Sequence, residues 1–221
     1  MPDSRKFIAY SAPFVVFVIL FGLEPLVRVA GWPRSPEFWI YPIQTIASGV
    51  LVIFFWRDYR MQKPAKVGFA IGVGVMVFVL WVAPQQFLGF TSRPDGFNPD
   101  FLAANPARYW ATVIFRFLRL VVVVPFVEEI FWRGFLLRYF IKEDFDHIPF
   151  GSFSWLSFGI VTALFGFSHS MADWPAALVT GAVYNGVAYR TKSLSSCVLT
   201  HGLTNLLLGL WIMKTKQWGF W

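Results

Sequence analysis

Apolar residues along this chain fall into long blocks separated by short polar connections, and the blocks have the length that a bilayer requires. A helix rises 1.5 Å per residue, so about 20 apolar residues cross a hydrocarbon core of about 30 Å. Such blocks run from Phe7 to Leu23, Trp39 to Trp56, Val67 to Phe87, Leu120 to Phe140, Trp155 to Met171, Pro175 to Tyr189 and Ser196 to Met213. Seven crossings are predicted. The sixth is short and carries Gly181 and Gly186, which let a helix pack closely on its neighbours. Ahead of the fourth block, PARYWATVIFRFLRL places Arg108, Thr112, Arg116 and Arg119 on one helical face. That stripe predicts an interfacial amphipathic helix leading into the fourth span, with an eighth crossing, its arginines turned inward, as the alternative. Pro125 then marks a kink or break. No second domain, repeat or low-complexity linker interrupts the pattern. The expected fold is all-α, a polytopic transmembrane helix bundle of seven or eight spans forming one domain over residues 1–221.

Composition agrees: 57% of the residues are hydrophobic and 14% charged, with a mean hydropathy of +0.57, whereas soluble domains carry about 25% charged residues. The net charge of +7 sits in the connections. Arg5 and Lys6, then Arg57, Arg60, Lys63 and Lys66, then Arg138 and Lys142, then Arg190 and Lys192 all fall at one end of a seven-span bundle. The opposite connections are balanced, with Glu24, Arg28, Arg34 and Glu37 in the first and Arg93, Asp95, Asp100 and Arg108 in the second. Only Lys214 and Lys216 in the tail disagree. The positive-inside rule then puts the N-terminus in the cytoplasm, and the expected location is a bacterial inner membrane. The basic start precedes a long apolar run with no small-residue cleavage site, so it reads as a retained first span rather than a signal peptide. No basic groove with interleaved aromatics exists, and nucleic acid is not an expected partner. Cys197 is the single cysteine; in its apolar stretch it reads as a small buried hydrophobe.

Against this background, polar residues inside the spans need a reason, since a charge at mid-membrane costs at least about 2.5–3.5 kcal/mol. In PFVEEIFWRGFLLRYF, Glu129 and Arg133 stand at i, i+4 and can neutralise each other. Glu128 is rotated by about 100° and must find its partner on another helix. The fifth block carries His169, with Phe165 one turn earlier; the seventh carries His201 and Asn205 on one face. Each has a bland reading: a salt bridge, a hydrogen-bonded core histidine, polar glue between helices. One chemical account covers all of them. A poorly solvated carboxylate can serve as general base toward water, a histidine can share its proton, and a second histidine with an amide can donate to a developing oxyanion.

The motifs carrying these residues are EEIFWR (Glu128 to Arg133), FGFSH (Phe165 to His169) and HGLTN (His201 to Asn205). Together they resemble the EExxxR, FxxxH and HxxxN motifs of the CPBP family, the CAAX proteases and bacteriocin-processing enzymes also called the Abi family, which includes the type II CAAX prenyl endopeptidases. All three match without substitution, in order. A proline shortly before the Glu pair and RGFLLR after it are similar too. The resemblance covers roughly Pro125 to Leu210, within a motif-bearing core of about 120–213. It implies an intramembrane glutamate-dependent endopeptidase acting on a membrane-associated protein or peptide. It further implies that Glu128 is the general base, His169 helps activate the water, His201 and Asn205 form the oxyanion hole, and Glu129 and Arg133 support the geometry. No cofactor is expected. Were a metal involved, zinc on Glu128, His169 and His201 is the arrangement to consider, although HExxH is absent and Arg133 competes for Glu129. A non-catalytic membrane scaffold or bacteriocin-immunity protein of the same fold is the alternative reading, and a proton-coupled transporter a third.

Overall fold

The computed structural model describes residues 3–29, 37–90, 93 and 96–221, and every regular element in them is helical. Seven long helices follow one another: α1 (Ser4–Val29), α2 (Glu37–Phe54), α3 (Val67–Phe87), α4 (Pro106–Tyr139), α5 (Trp155–Phe167), α6 (Trp174–Thr191) and α7 (Leu194–Thr215). Four of these are long and apolar enough to cross a membrane: Ser4–Leu23 within α1, then α3, α4 and α7. α2 and α5 are apolar but shorter. The chain is an integral membrane protein with an all-α bundle. Lipid-facing side chains such as Ile19, Ile53, Val79 and Ile114 are exposed at its perimeter, where water would penalise them and acyl chains do not.

Two expectations about element boundaries change. The amphipathic segment and the fourth span are one continuous helix of 34 residues, about 51 Å at 1.5 Å per residue. Among the described residues the segment is neither a helix of its own nor separated from the fourth span. The arginines explain why: Arg116 is buried with its guanidinium over the rings of Phe97 (3.7 Å) and Tyr41 (4.4 Å), and Arg119 donates to Gln44 Oε1 at 2.8 Å. The Arg116 and Arg119 part of the stripe therefore packs on protein, while Arg108 at its start is exposed. At the other boundary, α1 runs through Glu24 and Pro25 to Val29 instead of stopping at Leu23. Arg34 and Asp95, two of the charges in the balanced connections, lie outside the described residues.

α4 does not break at Pro125. It widens instead into π turns over Leu118–Val123 and again over Ile130–Leu136. In the first, the N–H of Val124 bonds to the carbonyl of Arg119, five residues back. The next donor in that register would be residue 125, and proline has none. The Leu120 carbonyl is thus left without a backbone partner.

The charged ends gather as the sequence predicts. Arg5 at the start of α1 forks onto Asp58 in the α2–α3 connection, with both bonds at 2.9 Å. Arg60 in the same connection pairs with Asp146 in the α4–α5 connection at 2.8 Å. Lys66 donates to the Arg190 carbonyl (2.7 Å), and Gln62 Oε1 accepts from the N–H of Leu194 at the start of α7 (3.0 Å). At the opposite end, Lys216 meets Asp100 at 3.1 Å.

Candidate active site

Three helices meet around the first motif because α4, α6 and α7 bring polar side chains to one level. α7 is set against α3 by threonines bonding to the backbone of α3: Thr200 Oγ1 donates to the Ala70 carbonyl (3.2 Å) and Thr204 Oγ1 to that of Gly74 (3.0 Å). Against α4, α7 presents Gly202, where a Cβ would stand 3.0 Å from the Val121 carbonyl oxygen. That close approach delivers the residues one turn apart on either side of it.

Glu129 and Arg133 are fully buried and bond to each other at 3.0 Å. The same Glu129 oxygen, Oε1, meets His201 Nδ1 at 2.9 Å. A carboxylate can only accept from a ring N–H, so this contact places the proton on Nδ1 and leaves Nε2 to accept in the neutral ring or donate in the imidazolium. Arg133 is held from further sides. Its Nε donates to Asn185 Oδ1 (3.1 Å) and its Nη2 to the Gly181 carbonyl (3.2 Å), while the rings of Phe165 and Tyr184 lie 4.7 and 5.3 Å from its guanidinium carbon. Asn185 Nδ2 continues the network to Thr162 Oγ1 at 3.1 Å. Hydrogen bonds to the Arg133 side of this buried ion pair and to Glu129 Oε1 offset part of its desolvation, while Glu129 Oε2 is buried with no hydrogen-bond partner among the described residues.

Glu128, the adjacent residue, is only half-buried, and no hydrogen bond or ion pair engages its carboxylate among the described residues. The interhelical partner expected for it is absent there; His201 goes to Glu129.

His169 also differs from expectation in its setting. α5 ends at Phe167, so His169 lies in the turn beyond it rather than within a span. Its position is fixed nonetheless. Nδ1 donates to the Phe165 carbonyl at 2.8 Å, leaving Nε2 with its lone pair free of that bond, and Trp174 Nε1 donates to the His169 carbonyl at 3.1 Å. The ring packs between Phe165 (4.9 Å) and Trp81 (5.7 Å), and Trp81 is itself tied to Thr180 Oγ1 at 2.9 Å. Phe165 and Tyr184 then bridge to His201, whose ring centre is 5.2 Å from that of Tyr184. Asn205 Nδ2 donates to the Leu120 carbonyl at 2.9 Å, the acceptor freed by the π turn and Pro125. One of its two N–H bonds is spent on this; the other remains.

The structure therefore joins Glu129, Arg133 and His201 directly, ties Asn205 to the same helix four residues along from His201, and sets His169 on the far side of the Phe165–Tyr184 pair. Among the described residues no three His, Cys, Asp or Glu side chains form a cluster that could hold a metal ion. Tyr184, Asn185, Thr204 and Trp81 went unread in the sequence. Asn185, a lone amide inside an apolar block, carried a usable signal; aromatic packing partners carried none.

Comparison with known proteins bears on this same stretch. Residues 109–207 match the model of the Rce1-like family, described as type II CAAX prenyl endopeptidase Rce1-like. The UPF0177 protein YbdI of Lactococcus lactis subsp. lactis (strain IL1403) is 22% identical over 166 residues, 74% of this chain and 83% of that protein. No solved structure matches the chain. The matched residues include Glu128, Glu129, Arg133, His169, His201 and Asn205, and over them this membrane protein is similar to the Rce1-like family of type II CAAX prenyl endopeptidases.

Proposed function

We propose that the chain is an intramembrane glutamate-dependent endopeptidase that hydrolyses a peptide bond in a membrane-associated protein or peptide. The observation that carries this reading is the contrast between adjacent carboxylates: Glu129 is held through Oε1 by both Arg133 and His201, while neither oxygen of Glu128 has a hydrogen bond or ion pair among the described residues. A carboxylate left unpaired within a bundle is expensive and has no structural use, so its cost points to chemistry.

In the mechanism Glu128 takes a proton from water as the water attacks the substrate carbonyl, and later returns it to the leaving amine. His169, held by its Nδ1–H, offers Nε2 as acceptor for the water's second hydrogen. Asn205 donates its remaining N–H to the oxyanion. His201, oriented by its Nδ1–H bond to Glu129 much as a triad carboxylate orients its histidine, donates from Nε2 when the ring carries both protons. No cofactor or metal takes part. The membrane is a bacterial inner membrane with the N-terminus cytoplasmic, and peptide maturation or processing linked to protein sorting suits such an enzyme.

The test compares wild type with Glu128→Gln and Glu128→Ala, purified in detergent, for cleavage of a membrane-peptide library followed by mass spectrometry. Loss of cleavage in both, with wild type active in EDTA, is the expected result. Cleavage retained in both variants would overturn the glutamate mechanism. A cellular phenotype unchanged by Glu128→Gln would favour the non-catalytic scaffold or immunity protein.

A further inference from the structure

Away from these residues, at the basic end of the bundle, a cavity of about 120 Å³ is lined by Tyr10, Arg60, Gln62, Arg138, Ile148, Pro149, Phe150 and Leu194. Its walls come from α1, the α2–α3 connection, the end of α4, the α4–α5 connection and the start of α7. Arg138 is 4% exposed. Its guanidinium donates to the carbonyls of Gly134 and Ile148 and packs over the rings of Phe145 (5.1 Å) and Tyr10 (5.5 Å). Every one of these hydrogen-bond and ring partners is neutral. Burying a guanidinium without a directly bonded anion is costly, and a neighbouring carboxylate is the usual remedy. Asp58 is bonded to the fork of Arg5, and Asp146 Oδ2 to Arg60 at 2.8 Å with Lys6 at 4.0 Å; Asp146 acts on Arg138 through space, without a hydrogen bond or ion pair to it. Lys192 donates to the carbonyl of Gly151, the residue after the lining Phe150. Opposite the two arginines, Ile148, Pro149, Phe150 and Leu194 form an apolar wall.

From this combination we infer that the cavity binds a phosphate-bearing anion, the headgroup of an anionic phospholipid. Guanidinium groups match phosphate oxygens in fork geometry. A basic pocket between helices at the charged membrane face is where such headgroups bind, and the apolar wall suits the glycerol and first acyl carbons. The site is separate from the Glu129–His201 centre and does not depend on the peptidase reading.

The full-length protein in a neutral detergent is titrated with short-chain phosphatidylglycerol, with short-chain phosphatidylcholine and with inorganic phosphate, following thermal unfolding. Phosphatidylglycerol is expected to raise the Tm saturably, phosphatidylcholine to do so weakly. Arg60→Gln changes a connection residue whose side chain is more than half exposed, and it should weaken the phosphatidylglycerol effect by about tenfold, the worth of one charge-assisted contact. Arg138→Gln should abolish it, with size-exclusion chromatography reporting whether that variant folds; if it does not, Arg60→Gln decides. Inorganic phosphate reproducing the whole shift would support the phosphate site and identify a free anion as its source. Equal shifts with both lipids, or a shift that Arg60→Gln leaves unchanged, would overturn the inference.

Discussion

Glu128 and Glu129 share a residue type, a helix and a depth, yet they should respond oppositely to the same substitution. Glu129→Gln leaves Arg133 buried without its counter-charge and replaces the charged acceptor shared by Arg133 and His201 with a neutral one, a loss of about 3–5 kcal/mol by the cost of breaking a buried pair. Thermal or denaturant unfolding in detergent should register this as a large drop in stability. Glu128→Gln removes a carboxylate with no hydrogen bond or ion pair among the described residues and should change stability by no more than about 0.5 kcal/mol while abolishing cleavage. A variant pair behaving the other way round would exchange the two roles. The sequence could separate these residues only partly. The i, i+4 spacing of Glu129 and Arg133 is a local rule and was legible; the 2.9 Å contact between Glu129 and His201 joins positions 72 apart, and no local rule reports it. For the same reason, Glu128 was expected to have an interhelical partner that went instead to its neighbour.

Among the elements, α4 shows how a local irregularity becomes a feature of the site. Pro125 withholds a donor, the π turn shifts the register, and the freed Leu120 carbonyl holds Asn205. Pro125→Ala restores an N–H that competes with Asn205 for that carbonyl. Cleavage should fall by about tenfold or more through loss of the oriented oxyanion donor, while the Tm stays the same or rises because a helix-interior proline is removed. A fall in Tm with unchanged activity would show that Asn205 does not depend on the π turn. Gly202→Ala probes the neighbouring contact: its Cβ would meet the Val121 carbonyl at 3.0 Å, forcing α7 from α4 at a cost of about 1–3 kcal/mol. The helices themselves were legible because apolar blocks of bilayer length have few other readings. The end of α5 at Phe167 was not, since the ring of His169 beyond it packs on Trp81, a contact 88 positions away along the chain that no local pattern reports. Nor was the continuity of α4: amphipathic stripes on the membrane surface and stripes facing buried aromatics have the same periodicity.

The whole molecule is held at its basic end by ion pairs that tie α1 to connections far along the chain, and charge clustering alone foretold which ends meet. It did not foretell the pairing, because acidic partners such as Asp58 and Asp146 sit among the basic residues whose excess gave the signal. Asp58 makes the clamp testable. The fork of Arg5 holds its carboxyl below the ordinary carboxylate range, against burial, which pushes the other way, and Lys6 adds to the lowering. A carboxyl depressed in the folded state contributes stability that is fully present above its unfolded value of about 3.9 and is lost as pH falls through the folded value. Wild type should therefore be more stable than Asp58→Asn at neutral pH, and the difference should close on the acid side, below the ordinary carboxylate range. Because the Arg5 side chain is 63% exposed, added salt should narrow the neutral-pH difference as well. Unfolding of both proteins in detergent across pH and ionic strength reads the two effects together. A gap that persists unchanged into acid would mean that Asp58 closes this end of the bundle by the shape of its hydrogen bonds rather than by its charge.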